Sequence, residues 1–142
     1  MIFFVGHLLD IVCLDVRMIA ICVEKDKKNL NLLIDVCVDM PEIDEVRGYR
    51  RTRKALKYLE TNTADIAIMD LDMPDMNGTT LASRLRKEHP DMSMIFISGN
   101  EKYAVEAFAM HVSGFLLKPI DKDKLDSEME HVIEKKERPH LD

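Results

Sequence analysis

The stretch Asp65-Ile-Ala-Ile-Met-Asp70-Leu-Asp72-Met-Pro74-Asp-Met-Asn-Gly78 decides how this chain folds. Four apolar residues, Ile66 to Met69, end on a carboxylate, after which a Pro and an Asn-Gly pair turn the chain. A short continuous apolar run bounded by turn residues has the pattern of a parallel strand covered on both faces. Ligands of open α/β sheets sit beyond the carboxyl ends of such strands. Asp70 is therefore expected at the mouth of a crevice, where a nucleophile or metal ligand belongs. A lone Asp there is more simply a turn cap; its companions change that reading.

Working upstream, Met18 to Val23 is another buried-strand run and ends at Glu24-Lys25-Asp26. Leu30, Leu33, Ile34 and Cys37 recur at helical spacing, and Pro41 closes that helix. Ile43 to Tyr49 reads as a weaker strand nearer an edge, and Thr52, Ala55, Leu56 and Leu59 mark a second helix. Downstream, a helix from Thr79 to Glu88 turns Leu81 and Leu85 inward and breaks at His89-Pro90-Asp91. Met94 to Ile97 is a strand ending at Ser98-Gly99-Asn100, and Lys102 to Met110 a short helix. Gly114 to Leu117 is a fifth strand closed by Lys118-Pro119; a last helix carries Leu125, Met129, Val132 and Ile133 on one face. Strands alternating with helices mean βαβ units with right-handed crossovers, hence an α/β fold on a five-stranded parallel sheet.

Composition narrows the function. A chain of 142 residues with net charge −6 is expected to form one domain and lacks the Lys/Arg stripe that nucleic acid requires. Arg47, Arg50, Arg51, Arg53 and Lys54 form a basic cluster, but Glu42, Asp44 and Glu45 precede it, and a solvated turn and helix start explains it. The three cysteines, Cys13, Cys22 and Cys37, have no metal-like spacing and read as small apolar residues in a reducing, cytoplasmic compartment. The ten methionines are better explained as core filling than as a cofactor surface. Residues 1–17 are apolar but interrupted by Asp10 and Asp15, too short for a membrane span and without a signal peptide's basic start. They are expected as an N-terminal extension to a domain spanning 18–135, with 136–142 a frayed tail.

The carboxyl ends of the strands carry Glu24, Lys25 and Asp26, then Asp70 and Asp72, then Ser98, then Lys118. A parallel sheet brings these to one edge. Singly, Ser98 is a strand-end polar group and Lys118 a solvated one; together they suit phosphoryl chemistry. A carboxylate can attack phosphorus to form an acyl phosphate, while a divalent cation, an ammonium and a hydroxyl offset charge on the phosphoryl oxygens.

Asp70-Leu-Asp-Met-Pro74 with Asn77-Gly78, Ile95-Phe-Ile-Ser98-Gly99 and Phe115-Leu-Leu-Lys118-Pro119-Ile120 together resemble the receiver domain of two-component response regulators. The resemblance covers about Met18 to Lys135. Tyr103-Ala-Val-Glu-Ala-Phe108 before Phe115-Leu-Leu-Lys-Pro is most similar to receivers attached to LytTR-type DNA-binding domains. It implies a flavodoxin-like (βα)5 doubly wound fold, Asp70 as the phosphoacceptor of a histidine kinase or phosphotransfer protein, and Mg²⁺ as cofactor. By the same resemblance, Glu24, Asp70 and the Asp72 backbone carbonyl are expected to hold the metal, with Asp26 a further candidate; Ser98 and Lys118 are expected to hold the phosphoryl oxygens. Lys118-Pro119 is expected to be cis, and Phe115 occupies the aromatic switch position. Receivers are signalling switches rather than true enzymes. They act on an output protein or domain, or pair as homodimers, through the last two helices and fifth strand; here that face includes Tyr103, Glu106, Met110, Phe115, Asp123 and Lys124. Direct nucleic-acid or membrane contact is not expected.

One departure from the family pattern matters most. The first strand of a receiver ends in two adjacent acids, and here the second is Lys25. An ammonium about 4 Å from Asp70 is worth roughly 4 kcal/mol at an effective dielectric near 20, before desolvation. Lys25 is thus expected to pair with Asp70 in place of the cation and weaken metal binding, unless it swings to solvent. Phe115 lacks the hydroxyl of a Tyr, and Gly99 stands where a small residue such as Ala is usual. Two other readings compete. One is a degenerate receiver working as a phosphorylation-independent interaction module with Lys25 as metal substitute. The other is a haloacid dehalogenase-like phosphatase, whose Asp-x-Asp motif Asp70-Leu-Asp72 also resembles. That class wants the motif on its first strand and a Thr or Val where Pro74 stands.

Overall fold

A computed structural model describes residues 18–137; the expected extension 1–17 and residues 138–142 of the expected tail lie outside the described residues. The elements run β1 (Ile19–Val23), α1 (Lys27–Val38), β2 (Glu45–Tyr49), α2 (Thr52–Thr61), β3 (Ile66–Asp70), α3 (Gly78–Glu88), β4 (Ser93–Ser98), α4 (Lys102–Ala109), β5 (Gly114–Leu117) and α5 (Lys122–Glu137). All neighbouring strands are parallel, in the order β2-β1-β3-β4-β5. The winding reverses between β1 and β3, so a crevice opens beyond their carboxyl ends, where Glu24 and Asp70 lie.

Alternate residues of each strand feed two cores. Ile21, Val23, Ala67, Met69, Met94 and Phe96 pack with Ala55, Leu56 and Leu59 of α2, Leu81 and Leu85 of α3 and Ala107 of α4. Ala20, Cys22, Ile66, Ile68, Ile95 and Ile97 pack on the other face with Leu30 and Leu33 of α1 and Leu125 and Met129 of α5. Each fully buried aliphatic side chain contributes about 1.5–3 kcal/mol. Coverage on both faces is why β3 and β4 read as unbroken apolar runs; β2, at the edge, is only half-buried. Cys22 and Cys37 meet at 3.8 Å between β1 and α1. The Cys37 contact and burial push the Cys22 thiol well above its usual range, which leaves it unreactive.

Several loops are tied down by specific contacts. Asp26 caps α1 by accepting from the Asn29 N–H at 3.3 Å. Arg51, at the corresponding place before α2, makes no side-chain cap. Asp75, from the loop after β3, substitutes for it by accepting from the N–H groups of Thr52 (3.4 Å) and Arg53 (3.0 Å). Those two donors hold the Asp75 carboxyl below its usual value, against the burial that would raise it. Gly78 lets α3 settle on that same loop, because a Cβ there would lie 2.9 Å from Leu71 Cβ and 3.0 Å from its carbonyl oxygen. After α4 the chain turns through His111 at φ 55°, with the Val112 N–H reaching back to the Ala107 carbonyl at 3.3 Å.

Several element ends differ by one or two residues from the sequence reading. The last helix continues to Glu137, so residues 136 and 137, expected in the tail, are helical. Lys135 and Lys136 in its final turn oppose the helix dipole favourably, and Lys136 donates to the Asp91 carbonyl at 3.0 Å. In α4, Val105 and Phe108 are 73% and 84% exposed, so part of its apolar content faces solvent rather than core. No described helix is long and apolar enough to cross a membrane.

Candidate functional site

Asp70 ends β3 with its side chain fully buried. Its Oδ1 accepts from the Asp72 N–H at 2.8 Å, and its Oδ2 from the Lys118 ammonium at 3.0 Å. Lys118 leaves β5 through a cis peptide to Pro119, as the resemblance implies. Its ammonium also lies 3.2 Å from Asp72 Oδ2. Burial works against the charge on Lys118, but hydrogen bonds to and charges on Asp70 and Asp72 prevail and raise its pKa.

Ser98, fully buried at the end of β4, does not approach Asp70 through a hydrogen bond. Its hydroxyl donates to Asp72 Oδ1 at 2.6 Å and accepts from the Asn100 N–H at 2.9 Å. The Gly99 N–H donates to Asp72 Oδ2 at 2.7 Å. Partial burial favours the neutral form of Asp72, yet Ser98, Gly99 and Lys118 together hold its carboxyl below the usual range. A Cβ on Gly99 would meet Asp72 Oδ2 at 3.5 Å, an ordinary contact, so the space beside the site would admit Ala.

Opposite this cluster lies Glu24, only 1% exposed. Its Oε2 accepts from the Asp26 N–H at 2.7 Å, while Oε1 is buried without a hydrogen-bond partner. Burial raises the Glu24 pKa, the Asp26 N–H opposes that shift, and the charge of Asp70 adds to it. Asp26 itself is spent as the cap of α1.

Lys25 does not make the expected pair with Asp70, whose ion partner among the described residues is Lys118. Instead, its ammonium donates to the Asp72 carbonyl oxygen at 2.7 Å, and Arg50 holds the Lys25 carbonyl at 3.1 Å. Lys118, from the edge strand β5, takes the Asp70 carboxylate, and Lys25, just after β1 beside β3, takes the Asp72 backbone oxygen. No group of three or more His, Cys, Asp or Glu side chains is arranged for a metal among the described residues. The oxygens of Glu24, Asp70 and the Asp72 carbonyl nevertheless suit a hard cation such as Mg²⁺. The buried, unpartnered Glu24 Oε1 is what such an ion would satisfy; Lys25 competes for the carbonyl.

Phe115 on β5 is half-buried and packs with Tyr103 and Met110 against the core. The sequence reading did not single out the Gly99 amide, the Asp72 carboxylate or the exposed Val105, Phe108 and Leu117. Gly99 adjoining Ser98 at a strand end is the one signal that pointed to the amide.

Comparison with known proteins identifies the family. The family described as the response regulator receiver domain matches residues 19–130. The sensory transduction protein LytR of Staphylococcus epidermidis is 28% identical over 106 residues, covering 75% of this chain and 41% of that protein. The transcriptional regulatory protein NatR of Bacillus subtilis is 26% identical over 119 residues, covering 84% and 51% respectively. The chain thus spans about half the length of these curated relatives or less. In fold, it is similar to the response regulatory domain of mrkE from Klebsiella pneumoniae, with TM-score 0.78 at 22% identity over 85% of this chain and 99% of that one. The phosphatase alternative is not supported, and its motif sits on the third strand rather than the first. With the receiver family matched across nearly all of the described sheet and helices, the chain belongs to the response-regulator receiver family.

Proposed function

We infer that this receiver accepts a phosphoryl group on Asp70 from a phosphohistidine donor, a histidine kinase or phosphotransfer protein, and passes the change to a partner by protein contact. The observation that carries this is the fully buried Asp70 carboxylate at the end of the middle strand, 3.0 Å from the Lys118 ammonium. An Asp70 oxygen attacks phosphorus, the donor's P–N bond breaks with its electron pair going to the ring nitrogen, and the donor leaves as neutral imidazole after taking a proton from solvent. Lys118 and Ser98, with the Gly99 N–H, supply positive ends of dipoles and charge where the phosphoryl oxygens come to rest. Glu24, Asp70 and the Asp72 carbonyl would hold Mg²⁺, which supplies countercharge to the transferring group.

Lys25 makes that metal site competitive: a cation must displace an ammonium from the Asp72 carbonyl before it gains its third protein oxygen. Lys25 is exposed, which gives it a way out. The half-buried Phe115 and the exposed Val105, Phe108 and Leu117 lie on α4 and β5, the face assigned to an output partner or a second copy. The reading makes the chain a signalling switch rather than an enzyme, in a cytoplasmic setting that keeps its buried thiols reduced. Incubation with acetyl phosphate and Mg²⁺ tests it by intact mass. One phosphoryl group is expected on the parent and none on Asp70→Asn; a parent that stays unmodified, or a variant that is still modified, contradicts the reading.

A further inference from the structure

The donors that a phosphoryl group on Asp70 would require are already engaged, and by the chain's own carboxylate. Asp72 Oδ1 takes the Ser98 hydroxyl at 2.6 Å, Oδ2 takes the Gly99 N–H at 2.7 Å, and the Lys118 ammonium stands 3.2 Å from Oδ2. These come from two strand ends, β4 and β5, and converge on one anion. Carboxylate and phosphoryl oxygens accept the same charge-assisted hydrogen bonds from the same donors. We propose that the Asp72 side chain is an internal surrogate for the phosphoryl group, filling its cradle until loading of Asp70 drives it out. The proposal rests on the reading of Asp70 as acceptor and adds a positioning residue to it.

The backbone of Asp72 is pinned by contacts separate from those of its side chain. Its N–H donates to Asp70 Oδ1 at 2.8 Å and its carbonyl accepts from Lys25 at 2.7 Å. Its carboxylate remains 27% exposed, so rotation about its own side-chain bonds carries it to solvent without moving β3. Two anions cannot share the cradle: both would draw on Lys118 and repel one another. The surrogate therefore competes with every incoming phosphoryl group. It also holds Ser98, and through it the Asn100 N–H at 2.9 Å, where an anion-filled cradle would hold them.

The test uses the full chain, labelled with ¹⁵N, with beryllofluoride plus Mg²⁺ as the probe. A short hydrogen bond to a carboxylate shifts an amide proton downfield, so the Gly99 resonance is expected far downfield in the parent without probe. In Asp72→Ala it moves upfield, and beryllofluoride returns it. Asp72→Ala is expected to bind beryllofluoride about tenfold more tightly, since a charge-assisted competitor is gone. Asp72→Asn falls between, because its one amide oxygen can keep only one of the bonds from Ser98 and Gly99 and carries no charge for Lys118. The same spectra report whether each variant is folded. A Gly99 resonance unmoved by Asp72→Ala, or affinity that is equal or weaker, overturns the surrogate role while leaving Asp70 as acceptor. Failure of parent and variants alike to bind the probe overturns the acceptor reading and the surrogate with it.

Discussion

On the Lys118 side of Asp70, a hydroxyl, a backbone N–H and an ammonium close on the Asp72 carboxylate within 2.6, 2.7 and 3.2 Å. On the Glu24 side, a buried carboxylate oxygen has no hydrogen-bond partner, and the nearest lysine in sequence spends its charge on a backbone carbonyl. The first half is satisfied by the chain's own groups; the second carries the cost of a buried acceptor left unpaired, about 1–3 kcal/mol. Both arrangements come from short loops at neighbouring strand ends, so the sheet itself does not dictate the contrast. Side-chain identity does: an acid at Asp72 completes one half, and a lysine at Lys25 leaves the other to an external cation.

The effect most specific to the metal side comes from reversing the charge at Lys25. Lys25→Asp should raise Mg²⁺ affinity by about tenfold or more, a gain of about 1.4 kcal/mol per decade. It is measured by titrating Mg²⁺ against the amide resonances of the β1 and β3 ends. Unchanged affinity would mean that the ammonium leaves the Asp72 carbonyl at no cost.

Opposite signs are expected when one group is removed from each half. Glu24→Gln should stabilise the chain by about 1–3 kcal/mol in the presence of a chelator, because an unpaired buried charge is gone. Added Mg²⁺ should then no longer raise its melting temperature. Ser98→Ala should destabilise by about 1.5–3 kcal/mol, the worth of a hydrogen bond to a charged group. Thermal unfolding with and without Mg²⁺ reads both, and shifts of the same sign would erase the contrast.

Acidity separates the halves in a smaller way. Asp72 has a folded pKa below its unfolded value, so the stability it contributes is present above the ordinary carboxylate pKa, about 3.9. That stability is lost as pH falls through the lower folded value. Glu24 is raised, so its cost is fully present above its folded pKa and relieved as pH falls toward the unfolded value. The advantage of Glu24→Gln should therefore shrink on mild acidification, whereas the deficit of Asp72→Asn should shrink only at still lower pH. Urea unfolding at stepped pH checks the order.

Much of this was legible in the chain. Ile66 to Met69 and Met94 to Ile97 announce strands covered on both faces, and Asp70, Ser98 and Lys118 at strand ends follow from the parallel sheet. The partners of the long side chains were not legible. Sequence spacing does not say whether Lys25, just after β1, or Lys118, just after β5, reaches Asp70, and Asp72 was read for its carbonyl while its carboxylate closes the cradle. Spacing in α4 likewise does not say that Phe108 lies 84% exposed, because an eight-residue helix at the sheet's edge covers little with one face.

The smallest effect serves as a reference remote from both halves. His111 adopts φ 55°, which costs a residue with a Cβ about 1 kcal/mol. His111→Gly should stabilise by about that amount and leave Mg²⁺ affinity untouched. A change in affinity would show that the β4–β5 region feeds into the site.

The most direct test of the central claim is a crystal structure of the full chain with Mg²⁺ and beryllofluoride. The account predicts the adduct on an Asp70 oxygen, its fluorines held by Ser98, the Gly99 N–H and Lys118, with Glu24 on the metal and the Asp72 carboxylate turned out to solvent. An adduct on another carboxylate, or Ser98 and Lys118 out of its reach, would contradict it.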